Sequence, residues 1–187
     1  FGETDAKVWT NVGGTPGSLT SNADQSAQNV VVYGENSFYV QPKLALITGM
    51  QYTYANRDVV DKITPSETDS SNYDSWNPKV GVMYKPTEKT QLFANVSKSY
   101  EAPDFSDLTQ SGTSGFINVD AQEAWTLEVG TRGERGPIAW DISLYRAWLE
   151  DELLKFTTGG SVPATTFNAE DTVHQGAEIG VGVRLGK

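Results

Sequence analysis

Residues 173–185, VHQGAEIGVGVRL, decide the fold class of this chain. The odd positions are apolar except for Gln175, whereas the even positions carry histidine, glutamate, arginine and glycine. Side chains point to opposite sides of an extended strand in turn, so a period of two predicts a β-strand with one apolar and one polar face.

The same alternation recurs in earlier segments and extends the prediction to the whole chain. It is regular in residues 43–54, 76–84 and 125–132, and its phase is less regular in residues 91–100 and 138–148. Residues 29–41 also predict a strand, although their two faces are not assigned. Stripes of apolar residues at helical spacing are scarce, so we expect an all-β protein.

Short and long connections alternate between these predicted strands. The short ones are residues 41–42, 85–89 and 133–137, and the long ones are about 55–75, 101–120 and 157–171. Tight turns at one end and long polar loops at the other predict an up-and-down antiparallel sheet. Residues 1–29 are rich in glycine, serine, threonine and asparagine, and we expect a loop there.

Composition excludes several classes of function. The 187 residues include 24 acidic and 14 basic side chains, for a net charge of −10, which argues against nucleic acid as a partner. No cysteine and a single histidine, His174, exclude thiolate metal sites and make most catalytic arrangements improbable. We therefore expect no enzyme, no catalytic residue and no metal site.

The two faces of the predicted sheet suggest where it lies. Aromatic residues lie near the strand ends of the apolar face, which is typical of the interfacial girdles of membrane β-barrels: Tyr52, Tyr54, Trp76, Tyr84, Trp125 and Trp140. The polar face would then line the lumen, because charged side chains do not face hydrocarbon cheaply. A soluble sheet with one face on a core shows the same alternation and stays an alternative.

Six segments, in this order, resemble strand motifs in the C-terminal β-barrel of TonB-dependent outer-membrane receptors. They are residues 47–52 (ITGMQY), 77–84 (NPKVGVMY), 92–105 (LFANVSKSYEAPDF), 125–132 (WTLEVGTR), 140–154 (WDISLYRAWLEDELL) and 168–179 (NAEDTVHQGAEI). Gln51 and Glu101 stand where basic residues are common in that family. The last two segments are similar to a branch linked to siderophore or pyrroloquinoline quinone uptake.

The resemblance implies a segment of an antiparallel up-and-down transmembrane β-barrel, about seven or eight strands of a larger barrel. Residues 1–187 would belong to that barrel, with 1–29 as a loop and 30–187 as strands joined by short periplasmic turns and long extracellular loops. It further implies uptake of a ferric siderophore, another metal chelate or a similar small-molecule ligand across the outer membrane of a Gram-negative bacterium. The implied partners are outer-membrane lipid, the receptor's own plug domain, which lies outside this chain, and TonB, which acts through the plug's N-terminal box.

Site residues follow from the same resemblance. Glu128 and Glu178 match barrel-wall glutamates that pair with arginines of the plug, and we expect Arg132 and Arg184 on the same plug-contacting lumen face. Two solvated carboxylates in a water-filled pore are the alternative for this pair. His174 is expected to be a hydrogen-bonding group of the lumen rather than a metal ligand.

Ligand-binding residues are expected at the lumen mouth, where the longest loop begins. The candidates are Tyr100, Glu101, Asp104 and Phe105, because aromatic and polar groups there could contact a ligand. Two other functions stay open from the sequence. One is a small passive outer-membrane barrel of about eight strands, and the other is a soluble all-β binding module such as a lectin-like sandwich.

Overall fold

A computed structural model describes residues 1–109, 116–157 and 164–185 of the chain. Nearly all of the regular structure in these residues is extended. The strands are β1 (Gly2–Val12), β2 (Thr15–Gln41), β3 (Leu44–Asp61), β4 (Asp69–Thr87), β5 (Thr90–Glu101), β6 (Gln122–Arg135), β7 (Ile138–Glu150), β8 (Glu152–Phe156), β9 (Thr165–Ala169) and β10 (Thr172–Val183). A 3-10 turn (Pro65–Glu67) and one helical turn, α1 (Phe105–Leu108), lie in connections.

Eight of these strands form one antiparallel sheet in the order β1-β2-β3-β4-β5-β6-β7-β10. Each strand lies beside its neighbour in the chain until β7, which is followed in the sheet by β10 because the β8–β9 hairpin is inserted between them. The all-β antiparallel fold and the number of strands predicted from the sequence are therefore confirmed.

The connections differ in length between the two ends of the sheet. At one end, here the turn end, pairs of residues join the strands: Pro42 with Lys43, Glu88 with Lys89, and Gly136 with Pro137. At the other, the loop end, the chain makes the connections 62–68, 102–121 and 151–171. A tight turn at Gly13 and Gly14 also lies at the loop end, and the φ angles of +60° and +88° there suit glycine.

The expectation of a loop over residues 1–29 was wrong, and so was the predicted extent of the loop at 55–75. Residues 2–12 and 15–29 are strand, β3 continues to Asp61, and β4 already begins at Asp69. These strands extend past the apolar part of the sheet, and most side chains of the β1–β2 hairpin are exposed on both faces. With water on both sides no alternation of polarity is needed, so strand and loop have the same composition there.

One face of the sheet is apolar across seven of its eight strands. A single cross-strand row on that face runs through seven strands: Phe38, Leu46, Val82, Ala94, Val129, Leu144 and Ala177. Its large members are exposed, with 61% of Phe38 and 55% of Leu144 accessible. A soluble sandwich would require a second sheet packed on this face, and no sheet of the described residues covers it.

The opposite face is polar and concave. The neighbouring row on this face contains Ser37, Ile47, Gly81, Asn95, Glu128, Tyr145 and Gly176. The buried residues of the sheet lie on this side, for example Ala55, Tyr73 and Asn77, because side chains crowd on the inside of a curled sheet. The polar side chains therefore line the inside of the curve.

Aromatic residues border the apolar face at two levels. Near the loop end the Tyr52 and Trp76 rings lie 4.8 Å apart, and Trp125 lies opposite Trp148. Near the turn end are Tyr84 and Trp140, each eight residues along its strand from Trp76 or Trp148. Eight residues span about 27 Å along a strand, which with tilt fits an apolar band of about 25 Å.

The sheet is open. Within the described residues β1 and β10 each pair with one neighbour, and residues 28–41 of β2 pair with β3 alone. These residues therefore do not form the small closed barrel that the sequence left possible. None of the helical residues described forms a helix of the length and apolarity needed to cross a membrane.

Candidate functional site

Glu128 and Glu178 lie on the concave face, as the alternation predicts. Glu128 on β6 faces Tyr145 of β7, and Glu178 on β10 faces Ser143 of the same strand. They occupy adjacent rows with β7 between them, a backbone separation of about 12 Å. The two carboxylates are therefore close enough to meet one protein surface but too far apart to share a proton.

Both carboxylates are accessible to a further partner. Asn95 donates a hydrogen bond from Nδ2 to Glu128 Oε2 at 3.0 Å, and Glu128 is half-buried. Glu178 is exposed and has no hydrogen bond or ion pair with the described residues. Both therefore retain acceptor capacity towards a partner in the lumen.

Arg132 and Arg184 lie on the same face but nearer the turn end. Arg132 Nε is 3.7 Å from Asp141 Oδ2, and its guanidinium lies 4.9 Å from the Phe93 ring centroid. Arg184 Nη2 is 4.0 Å from Glu134 Oε2 and its side chain is 82% exposed. The structure thus pairs these arginines with other acids of the wall rather than with Glu128 and Glu178.

His174 makes the polar contact expected of it. Its Nε2 lies 3.2 Å from Glu152 Oε1, and the Thr172 hydroxyl donates to Glu152 Oε2 at 2.6 Å. The described residues contain no group of three or more histidine or acidic side chains that could hold a metal ion.

Tyr100 lies near the loop end of β5. In the register of β5 with β6 it faces Glu123, and its side chain is half-buried. Glu101 faces Gln122 on the concave side at the end of β5 and is exposed. A ligand-binding role for Tyr100 stays a prediction.

Asp104 and Phe105 begin α1 at the base of the long loop. Asp104 accepts hydrogen bonds at Oδ1 from the backbone N–H of Ser106 (2.7 Å) and of Asp107 (3.1 Å), while its own N–H donates to Asp107 Oδ2 at 3.0 Å. This reciprocal pair is a capping box. Partial burial acts to raise the pKa of Asp104, but the bonds from Ser106 and Asp107 and the charge of Lys155 outweigh it and lower that pKa.

The long loop folds inward over the concave face. Leu108 is fully buried, Val119 is 6% exposed, and the Val119 carbonyl accepts a hydrogen bond from the Tyr73 hydroxyl at 3.2 Å. Asp107 lies 3.1 Å from Lys155 Nζ and so ties the loop to β8. The loop therefore forms part of the inner surface at the loop end.

Arg57 is the residue of this surface that the sequence did not reveal. Its Nε donates to the Pro103 carbonyl at 2.9 Å, which fixes the start of the loop to β3. Arg57 is 8% exposed, and it had been predicted to lie in a loop, where a lone arginine is unremarkable surface. Only the true length of β3 places it on the wall.

The comparisons with known proteins agree with this architecture. A sequence model of the family described as TonB-dependent receptor-like β-barrel matches residues 2–186, and the chain belongs to this family. The vitamin B12 transporter BtuB of Vibrio vulnificus (strain YJ016) is 27% identical over 160 residues, which cover 84% of this chain and 25% of that protein.

Solved structures of receptors share the fold. The copper transporter OprC superposes with a TM-score of 0.74 at 17% identity, over 90% of this chain and 28% of that one. The ferric-catecholate import receptor Fiu of E. coli K12 gives 0.66 at 19% identity, over 90% and 27%. The ferric yersiniabactin receptor FyuA of Yersinia pestis gives 0.67 at 15% identity, over 89% and 26%.

The chain spans about a quarter of the length of the curated relative it matches. The matched proteins are receptors and transporters, in agreement with the expectation that the chain is not an enzyme.

Proposed function

We propose that this chain forms part of the barrel of a TonB-dependent receptor in the outer membrane of a Gram-negative bacterium. The receptor would take up a ferric siderophore or a similar metal chelate or cofactor-sized ligand. The apolar row from Phe38 to Ala177, which runs through seven strands, has its large side chains exposed and is bordered by aromatic residues, carries the proposal. Lipid is the solvent that suits such a face.

The open edges support a larger barrel around this sheet. An unpaired strand edge in hydrocarbon leaves backbone N–H and C=O groups without partners, at a cost of several kcal/mol for each group. The free edges of β10 and of residues 28–41 in β2 are such edges, since both strands carry the apolar alternation. Further strands beside them would satisfy these groups.

The concave face would then contact a plug domain. Glu128 and Glu178 present carboxylates with spare acceptor capacity, and the exposed Arg132 and Arg184 add cationic groups nearer the turn end. Charged side chains in a protein-filled lumen need charged or hydrogen-bonding partners, which a plug supplies. TonB would act on that plug through its N-terminal box.

The loop end would be the extracellular, ligand-facing end. Long connections fold over the concave face there, and Glu101, Asp104 and Phe105 lie at the base of the longest one. The related proteins include a copper transporter, a ferric-catecholate receptor and a vitamin B12 transporter. These names support a metal-containing ligand as the class to test first.

Uptake by the full-length receptor tests the proposal. The receptor would be expressed in a host without its own siderophore and cobalamin receptors, with and without a functional tonB gene, and supplied with labelled ferric chelates or cobalamin. Accumulation of one ligand class that requires both the receptor and TonB is expected. Equal accumulation in the tonB-deficient host would instead support a passive pore.

A further inference from the structure

Arg57 has an unusual position for a cation. It lies on the concave face of β3, between Ala27 of β2 and Ser71 of β4, and only 8% of the residue is exposed. Among residues 1–109, 116–157 and 164–185, no other lysine or arginine is buried. Its charge is therefore largely withdrawn from bulk water.

With the described residues the Arg57 guanidinium forms three hydrogen bonds, and all three acceptors are uncharged. Nε donates to the Pro103 carbonyl, and Nη1 donates to Asn29 Oδ1 and to the Asn56 carbonyl, each at 2.9 Å. Nη2 takes part in none of these bonds. A guanidinium has five N–H donors in a planar fork, so the Nη2 edge is available to a further acceptor.

Arg57 has no carboxylate partner in the described part of the chain, and unlike Lys43, Lys85, Arg135 and Arg146, which also have none there, it is buried. Eight lysines and arginines there lie within 4.0 Å of an acidic side chain: Lys7, Lys62, Lys79, Lys89, Lys98, Arg132, Lys155 and Arg184. The chain has a net charge of −10, so acids are not scarce. Burying a cation without a counterion is costly, which points to an anion that arrives from outside these residues.

Three acids of the loop base and of β3 have contacts of their own. Asp104 caps α1, Asp107 pairs with Lys155, and Asp61 accepts hydrogen bonds at Oδ1 from the backbone N–H groups of Ile63 and Thr64. The guanidinium meanwhile holds the start of the loop at Pro103, where the ligand side of the receptor is expected.

We propose that Arg57 is the anion-anchoring residue of the ligand site and that the receptor takes an anionic metal chelate. The Nη2 edge would bind a carboxylate or catecholate oxygen of the chelate, while Nε keeps the loop base in place. The planar guanidinium fixes the direction of the Nη2 bonds as well as supplying charge, which a lysine at this position would reproduce only in part. The inference rests on the proposed receptor function and specifies the charge of its ligand.

Binding to the purified full-length receptor tests the inference. The variants are Arg57→Gln and Arg57→Lys, with Arg135→Gln, an exposed arginine at the turn end, as the matched control. The probes are a ferric tris-catecholate and ferric citrate as anionic chelates, with cyanocobalamin as an uncharged comparator. Dissociation constants from quenching of tryptophan fluorescence would be measured together with the unfolding temperature of each variant.

We expect the wild-type receptor to bind an anionic chelate and Arg57→Gln to weaken that binding at least tenfold. Arg57→Lys should lie between the two, and Arg135→Gln should stay within twofold of wild type. A wild-type receptor that binds neither anionic probe overturns the inference. So does an Arg57→Gln variant that loses stability yet keeps its affinity, because the missing counterion is then a carboxylate elsewhere in the protein.

The two proposals fail separately. Uptake that depends on TonB but not on Arg57 would leave the receptor function standing without this inference. Binding of an anionic chelate that depends on Arg57, without uptake that requires TonB, would support the binding role of Arg57 and contradict TonB-dependent transport.

Discussion

At the scale of single residues, Asp104 shows how one side chain organises the inner loop. Its carboxylate accepts two backbone N–H groups that α1 would otherwise leave without partners, and Asp107 returns the contact. The aspartate therefore stabilises the inward-folded loop directly above Arg57 and Pro103.

Asp104→Ala is expected to destabilise this loop by about 0.5–2 kcal/mol, the usual cost of losing an N-cap. Because the pKa of Asp104 is lowered from its ordinary 3.8, the stabilisation is complete above that value and is lost as the pH falls through the lower pKa of the folded loop. Hydrogen exchange of the Ser106 and Asp107 amides across this acidic range measures it. Asp104→Asn keeps the acceptor without the titration, so similar acid sensitivity in Asp104→Asn would contradict this explanation.

Glycines of the wall differ in how much room they have. A Cβ at Gly130 would lie 2.6 Å from the Ile142 carbonyl oxygen and would also overlap the Phe93 ring, and one at Gly176 would lie 2.8 Å from the Tyr145 hydroxyl. At Gly180 the nearest atom would be 3.5 Å away, an ordinary contact. Of Gly176, Gly180 and Gly182 on β10, only Gly176 has a described neighbour within 3.0 Å of an added Cβ.

Gly130→Ala should lower barrel stability by about 1–3 kcal/mol, since the added methyl group meets a backbone carbonyl that cannot move freely. Gly180→Ala is the matched control and should be nearly neutral. The measurement is the temperature at which the folded band of the full-length receptor disappears on SDS gels. Equal shifts for the two variants would show that space at Gly130 is not the cause.

At the scale of elements, β4 and β5 explain how the loop becomes part of the wall. β4 pairs with β3 from Asp69 to Tyr84 but with β5 only between Lys79 and Thr87. The ladder stops beside Pro78, which has no N–H to donate. Towards the loop end, side chains bridge the gap between the strands, as in the hydrogen bond from Ser75 Oγ to Glu123 Oε1 at 3.1 Å. The backbone carbonyl of the loop residue Val119 accepts a hydrogen bond from the Tyr73 hydroxyl.

β7 shows how an outward face tolerates one charge. Arg146 lies on that face between Leu127 and Gln175, and its guanidinium is 5.3 Å from the Trp148 ring centroid. The aromatic ring at the border of the apolar band gives this cation a favourable contact close to water. The irregular phase of residues 138–148 in the sequence thus comes from one residue near the interface.

Leu144 lies midway between Trp140 and Trp148 on β7 and is exposed on the apolar face. Leu144→Arg should therefore cost about 2–4 kcal/mol in a bilayer, the range for a cation near the midplane of a barrel wall. Thr126→Arg, on the concave face of β6, is the control and should cost much less. The measurement is the free energy of unfolding of the full-length receptor refolded in lipid vesicles. Equal losses for Leu144→Arg and Thr126→Arg would argue against lipid on the Leu144 side.

At the scale of the whole molecule, the distribution of charge separates three environments. The outward rows are almost uncharged, the concave face carries Glu128, Glu178 and Arg132, and many of the remaining acids lie in the loop-end extensions and connections. A net charge of −10 is therefore compatible with a membrane location, because water or protein can meet the charges that the apolar band excludes.

A plug seated on Glu128 and Glu178 predicts a leak when both charges are removed. In the full-length receptor, Glu128→Gln with Glu178→Gln should weaken plug seating and raise sensitivity to an antibiotic too large for general porins. Glu170→Gln in the long connection is the control and should behave as wild type. An unchanged minimal inhibitory concentration for the double variant, with the receptor present at normal levels, would support solvated lumen carboxylates instead.

The sequence alone predicts the period, the two faces and the order of the strands of the large sheet from Leu44 to Val183, but not the β8–β9 hairpin. These follow from local alternation, because lipid on one side and water or protein on the other impose opposite demands on neighbouring residues. It also placed Glu128 and Glu178 correctly on the concave face. Only the folded chain shows where strands extend beyond the apolar band and that Arg57 is buried under the loop. Those features depend on register, on strand length in water and on contacts between residues 46 positions apart, none of which leaves a periodic mark in the sequence.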